Sequence, residues 1–231
     1  MPGFAAIRKR AELRKGGAAA LAALLPPPPD PDAVAALSDD RALAEMTRRI
    51  FCSGFVWRVV ENKWPGFEAA FGGFDVARLC FEPDEFWEAL GRDTRIVRHG
   101  AKILAVRGNA RFVADIAAEH GSFGRYLAGW PADDQAGLLE VLGKRGSRLG
   151  GMTGQYLLRF LGCDGWMTSR DMVACLRDAG LEIGETPTSR RELQLVQAQM
   201  NAWAAESGLS LTQLSRICAL SIGPIAPADD V

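Results

Sequence analysis

The chain has 231 residues, 48% of them hydrophobic and 24% charged, long enough to bury roughly 70% of its unfolded surface in one domain or two small ones. Lys plus Arg count 27 against 28 Asp plus Glu, so no global field draws a polyanion, and affinity for nucleic acid must come from local clusters. Cys52, Cys80, Cys163, Cys175 and Cys218 lie far apart, no CxxC or CxxH pair occurs, and the histidines are His99 and His120. That argues against a disulfide framework and a Cys/His zinc site and fits a reducing cytoplasm; no metal or cofactor is expected.

Taken in chain order, Arg8, Lys9, Arg10, Arg14 and Lys15 precede an Ala-rich run that ends in four prolines from Pro26. Residues 1–37 read as a flexible basic arm and a stiff polyproline spacer rather than a signal peptide. No apolar stretch reaches 18 residues, so no membrane span is expected. The folded domain is expected over 38–223, with a tail at 224–231. Ser38-Asp39-Asp40 offers an N-cap and an acidic first turn, followed at helical spacing by Leu43, Met46, Ile50, Phe51 and Phe55. Val59, Val60 and Trp64 carry a second helical stretch, and Phe67, Ala70, Phe71 and Phe74 a third. Pro83-Asp84-Glu85 starts another. Ile103, Val106, Ala110, Val113 and Ile116 predict a long amphipathic helix; Leu138, Leu139 and Leu142 predict the next. Tyr156, Leu157, Phe160 and Leu161 follow glycines 150, 151 and 154, and Met172 to Ala179 form one more. Ser189 and Glu192 make a capping box for a helix through Val196, Met200 and Trp203. Period-two alternation is nearly absent. The chain reads as all-α, with nine or ten helices.

Charge is concentrated in two internal stretches. Residues 90–111 carry Arg92, Arg95, Arg98, Lys102, Arg107 and Arg111 against Asp93 alone, and residues 141–163 carry Lys144, Arg145, Arg148 and Arg159 with no acid. Each sits at a junction between helices. The segment from Ile96 to Lys102 leads into a helix start at Gly100, and Gly150 to Gly154 repeats the arrangement with Thr153 as a hydroxyl donor. Helix starts aim free N–H groups at an anion, so both turns suit a phosphate backbone; a solvated cationic surface is the alternative.

Phe55 to Trp64, Phe67 and Phe71-Gly72-Gly73-Phe74-Asp75 resemble the start of the bacterial 3-methyladenine DNA glycosylase I family. Ile96-Val97-Arg98-His99, Lys102-Ile103 and Gly108-Asn109-Ala110 are similar to its helix–hairpin–helix, and Lys144-Arg145-Gly146, Gly151 and Thr153 fall in register. The similarity covers roughly residues 38–180. It implies an all-α helix–hairpin–helix glycosylase fold of two helical subdomains with a pocket between them. It also implies a monomeric enzyme of base excision repair that binds duplex DNA, flips out an alkylated purine such as 3-methyladenine and hydrolyses its N-glycosidic bond.

Residue by residue, the resemblance makes Trp57 the aromatic that stacks on the base, with Phe51 as a further lining residue and Glu45 as a substitute carboxylate; core packing is the alternative for Trp57 and Phe51, and an i,i+4 ion pair with Arg49 the alternative for Glu45. Phe55 after Gly54 falls at the residue that plugs the vacated stack, ordinary packing being the other reading. Arg98, His99, Lys102, Lys144, Arg145, Gly151 and Thr153 would hold phosphates. Ser169 and Asp171 occupy the region of a catalytic or water-positioning group, or cap the helix that follows. Two departures stand out. Arg49 occupies the family's base-recognising carboxylate position, and the family's zinc site has no counterpart, because no Cys or His precedes Cys52 or follows Cys218. The alternatives to an enzyme are a catalytically silent DNA- or lesion-binding module of the same fold and a helical protein whose basic turns bind acidic partners.

Overall fold

The computed structural model describes residues 3–223. The chain forms α1 (Phe4–Arg14), α2 (Ala18–Ala23), α3 (Pro31–Ala35), α4 (Asp39–Cys52), α5 (Trp57–Asn62), α6 (Trp64–Ala70), α7 (Val76–Phe81), α8 (Asp84–Leu90) and α9 (Gly100–His120). It continues through α10 (Phe123–Ala128), α11 (Gln135–Arg145), α12 (Met152–Phe160), α13 (Arg170–Asp178), α14 (Arg190–Ser207) and α15 (Leu211–Leu220). No strand occurs among the described residues, so the all-α expectation holds. The helices beyond the nine or ten expected include α2, α3 and α10, whose five or six residues are too few to show a repeating apolar spacing.

Two compact units share the chain. The larger comprises Asp30–Trp130 and Gly137–Cys163; the smaller comprises the described residues of Met1–Pro29, Pro131–Ala136 and Asp164–Val231. One domain over 38–223 was expected, whereas both units include residues before 38. The tail expected at 224–231 lies outside the described residues.

In the larger unit, Ser38 caps α4 by accepting the Arg41 N–H. The acidic first turn then works twice over. Asp39 accepts the Phe123 N–H at 2.7 Å, where α10 starts, and Asp40 accepts the Val76 N–H at 3.1 Å, where α7 starts. One turn thereby fixes three helix starts. Helix α4 packs on α9, and Leu43, Met46, Ile50 and Phe51 of the first and Ile103, Val106, Ala110 and Val113 of the second are buried. Each of these side chains other than Ala110 contributes about 1.5–3 kcal/mol when fully buried. Trp64, Phe67, Phe71 and Phe74 stack beside this seam, their ring planes within 15° of one another at each step.

The smaller unit corrects the reading of the N-terminus as a flexible arm. Phe4, Ile7 and Ala11 form a buried stripe on α1, which packs against α14 and α15. Phe4 meets the Trp203 ring at 5.7 Å, and Arg10 is ion-paired with Asp178 and donates to Ser221 Oγ at 3.2 Å. A basic residue that reads as solvated is therefore tied to a helix far along the chain. The proline tract ends in an orthodox helix start, with Asp30 capping α3 and Pro31 at its first position.

The capping box at Ser189 is present as its spacing predicts. Glu192 accepts the N–H groups of Gly184 (2.9 Å) and Ser189 (3.2 Å) and the Ser189 hydroxyl (2.7 Å). These bonds, that from Gly184 foremost, hold its carboxyl down at about 2. A folded value below the unfolded 4.5 means stability present above the unfolded value and lost as pH falls toward the folded one. Glu192→Gln should flatten the fall in melting temperature between those two pH values, as read by circular dichroism.

Candidate functional site

The site grows from the junction of α4 and α5 in the larger unit. Helix α4 ends at Cys52, and Gly54 turns the chain with a φ of 73°, a left-handed geometry that favours glycine. Phe55, Val56 and Trp57 follow, all exposed despite being apolar. Trp57, 38% exposed, lies edge-on to Tyr156 at 5.2 Å and near Phe160 at 5.9 Å, both from α12. Together these segments enclose a cavity of ≈ 340 Å³, within the range of small-molecule sites. One wall is Arg49, Cys52, Ser53, Gly54, Phe55 and Trp57; the other is Met152, Thr153 and Tyr156. Every lining residue belongs to the larger unit, where a pocket between two subdomains was expected.

Two expected pocket residues lie elsewhere. Phe51 is fully buried with its ring edge-on to Phe67 at 4.7 Å, so it serves the core. Glu45 lines a neighbouring cavity with Arg48, Trp64 and Phe160. Burial pushes the Glu45 carboxyl up, against the pull of Arg49 and Arg48. Arg49 links the two places. Its Nε sits 2.6 Å from Glu45 Oε1, off the hydrogen-bond axis, and its Nη2 is 3.6 Å from Glu61. The guanidinium carbon rests 3.8 Å from the Phe160 ring centre and 4.9 Å from that of Trp57. The ion pair between Glu45 and Arg49 one turn apart is thus real, and it abuts the cavity.

The segment Ile96 to His99, where the resemblance implies a hairpin, comes next along the chain. Ile96 is buried, Arg98 is exposed, and His99 stands at the start of α9 without capping it by its side chain. The His99 ring meets Phe55 edge-on at 6.4 Å, which places the exposed Phe55 between hairpin and cavity. Helix α12 likewise starts without a side-chain cap, at Gly151 with a φ of 59°. Both expected phosphate seats are therefore helix starts whose N-cap residue makes no side-chain cap, a setting that suits an anion. Lys144 and Arg145 are exposed and spend their charge on Glu140 and Glu119. Such surface pairs are worth little and can re-pair with a phosphate.

Lys102 departs from expectation. It is 4% exposed, and its ammonium donates to the backbone oxygens of Phe51 and Ser53, closing the C-terminal end of α4. A lysine so enclosed makes no phosphate contact. Burial, then the charge of Arg148, pulls its titration down. Arg148 itself is exposed and takes a φ of 60°, rare for a residue with a side chain.

Asn109 ties α9 to the second basic turn. Its Nδ2 donates to Ser147 O at 3.0 Å and its Oδ1 accepts the Ser147 N–H at 2.7 Å. An amide inside α9 thus fixes the turn before Gly150. Asn109→Leu is expected to cost about 1–3 kcal/mol in chemical denaturation, since it breaks both bonds and leaves part-buried backbone groups of Ser147 unpaired. Duplex affinity should fall with it, while Asn109→Asp retains the bond to the Ser147 N–H and part of both.

Ser169 and Asp171 belong to the smaller unit and are not among the cavity's lining residues. The Ser169 hydroxyl accepts the Met172 N–H as the cap of α13, and Asp171 stands exposed in the first turn. That is helix-capping work, and no chemical step is assigned to either. Sequence reasoning missed Tyr156 and Phe160 as partners of Trp57, because only the packing of α12 on α4 brings them there. Among the described residues no three His, Cys, Asp or Glu side chains converge as metal ligands.

The methyladenine glycosylase family profile matches residues 33–137. This segment, less than half of the chain, is similar to that family. It carries Arg49, Phe55, Trp57, the hairpin and Asn109, whereas Thr153 and Tyr156 lie beyond the matched stretch. No curated protein matches the chain. Among solved structures, the chain is similar to a 3-methyladenine DNA glycosylase I at 24% identity, covering 55% of this chain and 79% of that one, with a TM-score of 0.46. The enzyme of that name from Staphylococcus aureus, solved for 3-methyladenine recognition, gives 22% identity, 54% and 77% coverage and a TM-score of 0.49. A glutamate-to-glutamine mutant of the Staphylococcus aureus enzyme gives 18% identity, 65% and 90% coverage and a TM-score of 0.50. At these identities the likeness concerns the fold.

Proposed function

We propose that the chain is a DNA glycosylase of base excision repair. It seats duplex DNA on the hairpin at Arg98 and His99 and on the turn at Lys144 to Thr153, draws a modified purine into the cavity beside Trp57 and hydrolyses its N-glycosidic bond. The single observation that carries this reading is the exposed Phe55 on its glycine turn, set between a helix start and an aromatic-walled cavity. A side chain so placed fills the gap that an extruded nucleotide leaves, and unstacking one base costs only a few kcal/mol. Trp57 and Tyr156 supply aromatic surface to the extruded base, worth about 1–3 kcal/mol. Holding the nucleotide there fixes the anomeric carbon for attack by water.

The test is release of free base from duplexes that each carry one modified purine, alkylated purines such as 3-methyladenine included, followed by mass spectrometry. The proposal expects release from at least one duplex, dependent on Trp57. Lesion-selective duplex binding with no release would instead favour the catalytically silent module. That second reading has its own support: the Arg49 guanidinium already lies against the Trp57 ring. Binding of acidic proteins with no preference for a modified or bent duplex would overturn both.

A further inference from the structure

Arg49 is the feature of the cavity for which the family resemblance supplies no use. Its side chain is 2% exposed. Glu45 stands against Nε and Glu61 against Nη2, while Nη1 is buried with no hydrogen-bond partner. Glu45 lines the neighbouring cavity, and Glu61 lines neither. Arg49 is thus the one charged residue among those lining the Trp57 cavity. A buried N–H without an acceptor is costly, and a ligand that brings an acceptor relieves that cost.

From this arrangement we infer that the cavity selects a neutral purine whose carbonyl, alkoxy oxygen or ring nitrogen faces Arg49, over a purine made cationic by ring N-alkylation. The inference rests on the glycosylase reading and narrows its substrate. A cationic base stacked on Trp57 would meet a guanidinium and no carboxylate among the cavity's lining residues, Glu45 and Glu61 pairing with Arg49 from outside that lining. Arginine donors suit the O6 and N7 acceptors of a purine edge. Leaving-group chemistry points the same way. When the N-glycosidic bond of a neutral purine breaks, its electron pair passes to the base, which gains negative charge. Water adds its oxygen to C1′, and one water proton ends on the departing base. A guanidinium facing that ring stabilises the charge as it develops. A cationic purine departs neutral and gains nothing from it.

The experiment compares duplexes carrying hypoxanthine or O6-methylguanine with one carrying 7-methylguanine, each against its protein-free rate. Wild-type protein should accelerate release of the neutral bases at least tenfold more than that of the cationic one. Arg49→Gln should lower release of the neutral bases at least 30-fold, with duplex affinity within twofold and Arg49→Lys retaining part of the rate. Preferential release of 7-methylguanine, or an Arg49→Gln rate equal to wild type, would overturn the inference while leaving the glycosylase reading intact. Should no base be released at all, the glycosylase reading falls, and relative binding of the three duplexes decides the inference: tighter binding of neutral lesions supports it, tighter binding of 7-methylguanine overturns it. If Arg49→Gln melts below assay temperature, the wild-type comparison alone decides.

Discussion

Trp57→Ala is expected to lower kcat/KM for base release by about 10²–10³-fold while leaving affinity for unmodified duplex within twofold. The indole gives the extruded base its stacking surface, and removing it forfeits both that contact and the alignment of the scissile bond. Phosphate contacts come from other elements: Trp57 opens α5, whereas the starts of α9 and α12 face the backbone in the proposed complex. Because Trp57 is more than a third exposed, the fold should survive its loss with only a small drop in melting temperature. A salt titration of duplex binding should give the same slope for mutant and wild type. Equal loss of folding and activity would return Trp57 to a packing role.

Lys102→Met should act in the opposite way, on stability and not on DNA. The ammonium closes two backbone carbonyls at the end of α4, and methionine keeps the apolar stem but cannot donate. Leaving the buried Phe51 carbonyl and the part-buried Ser53 carbonyl without that donor is expected to cost about 1–3 kcal/mol, measured by denaturant midpoint. A lysine bound to phosphate would show itself differently, by reducing the salt slope of binding by about 0.9. The expected result is an unchanged slope with a lower midpoint. The loop from Ser53 to Trp57 hangs from those carbonyls, so base release should slow as well.

Local signals survived translation into structure where the physics is local. Ser38 and Ser189 cap their helices because a hydroxyl reaches the N–H three residues on whatever the rest of the chain does. The apolar spacing of α9 likewise fixes its buried face. Long-range pairing was not legible. Arg10 lies in a basic run, yet its partners are Asp178 and Ser221; Phe4, Ile7 and Ala11 do recur at helical spacing, but the surrounding charge masked them. Lys102 stands in the hairpin region as its position implies, but whether its side chain turns outward or toward α4 depends on where α4 ends. The cavity's second wall depended on α12 packing beside Trp57, a juxtaposition of residues about a hundred positions apart. Arg49 was visible as a departure, and only its burial against Trp57 and Phe160 made it an element of the site.

The measurement closest to the central claim is a crystal structure of the protein with a duplex that carries a hydrolysis-resistant 2′-fluoro nucleotide bearing hypoxanthine. The account predicts the base rotated out of the helix and seated between Trp57 and Tyr156, with Phe55 in the vacated stack and backbone phosphates at the starts of α9 and α12. A base still paired in an unbent duplex, or a duplex bound away from Phe55 with the cavity unfilled, would contradict it.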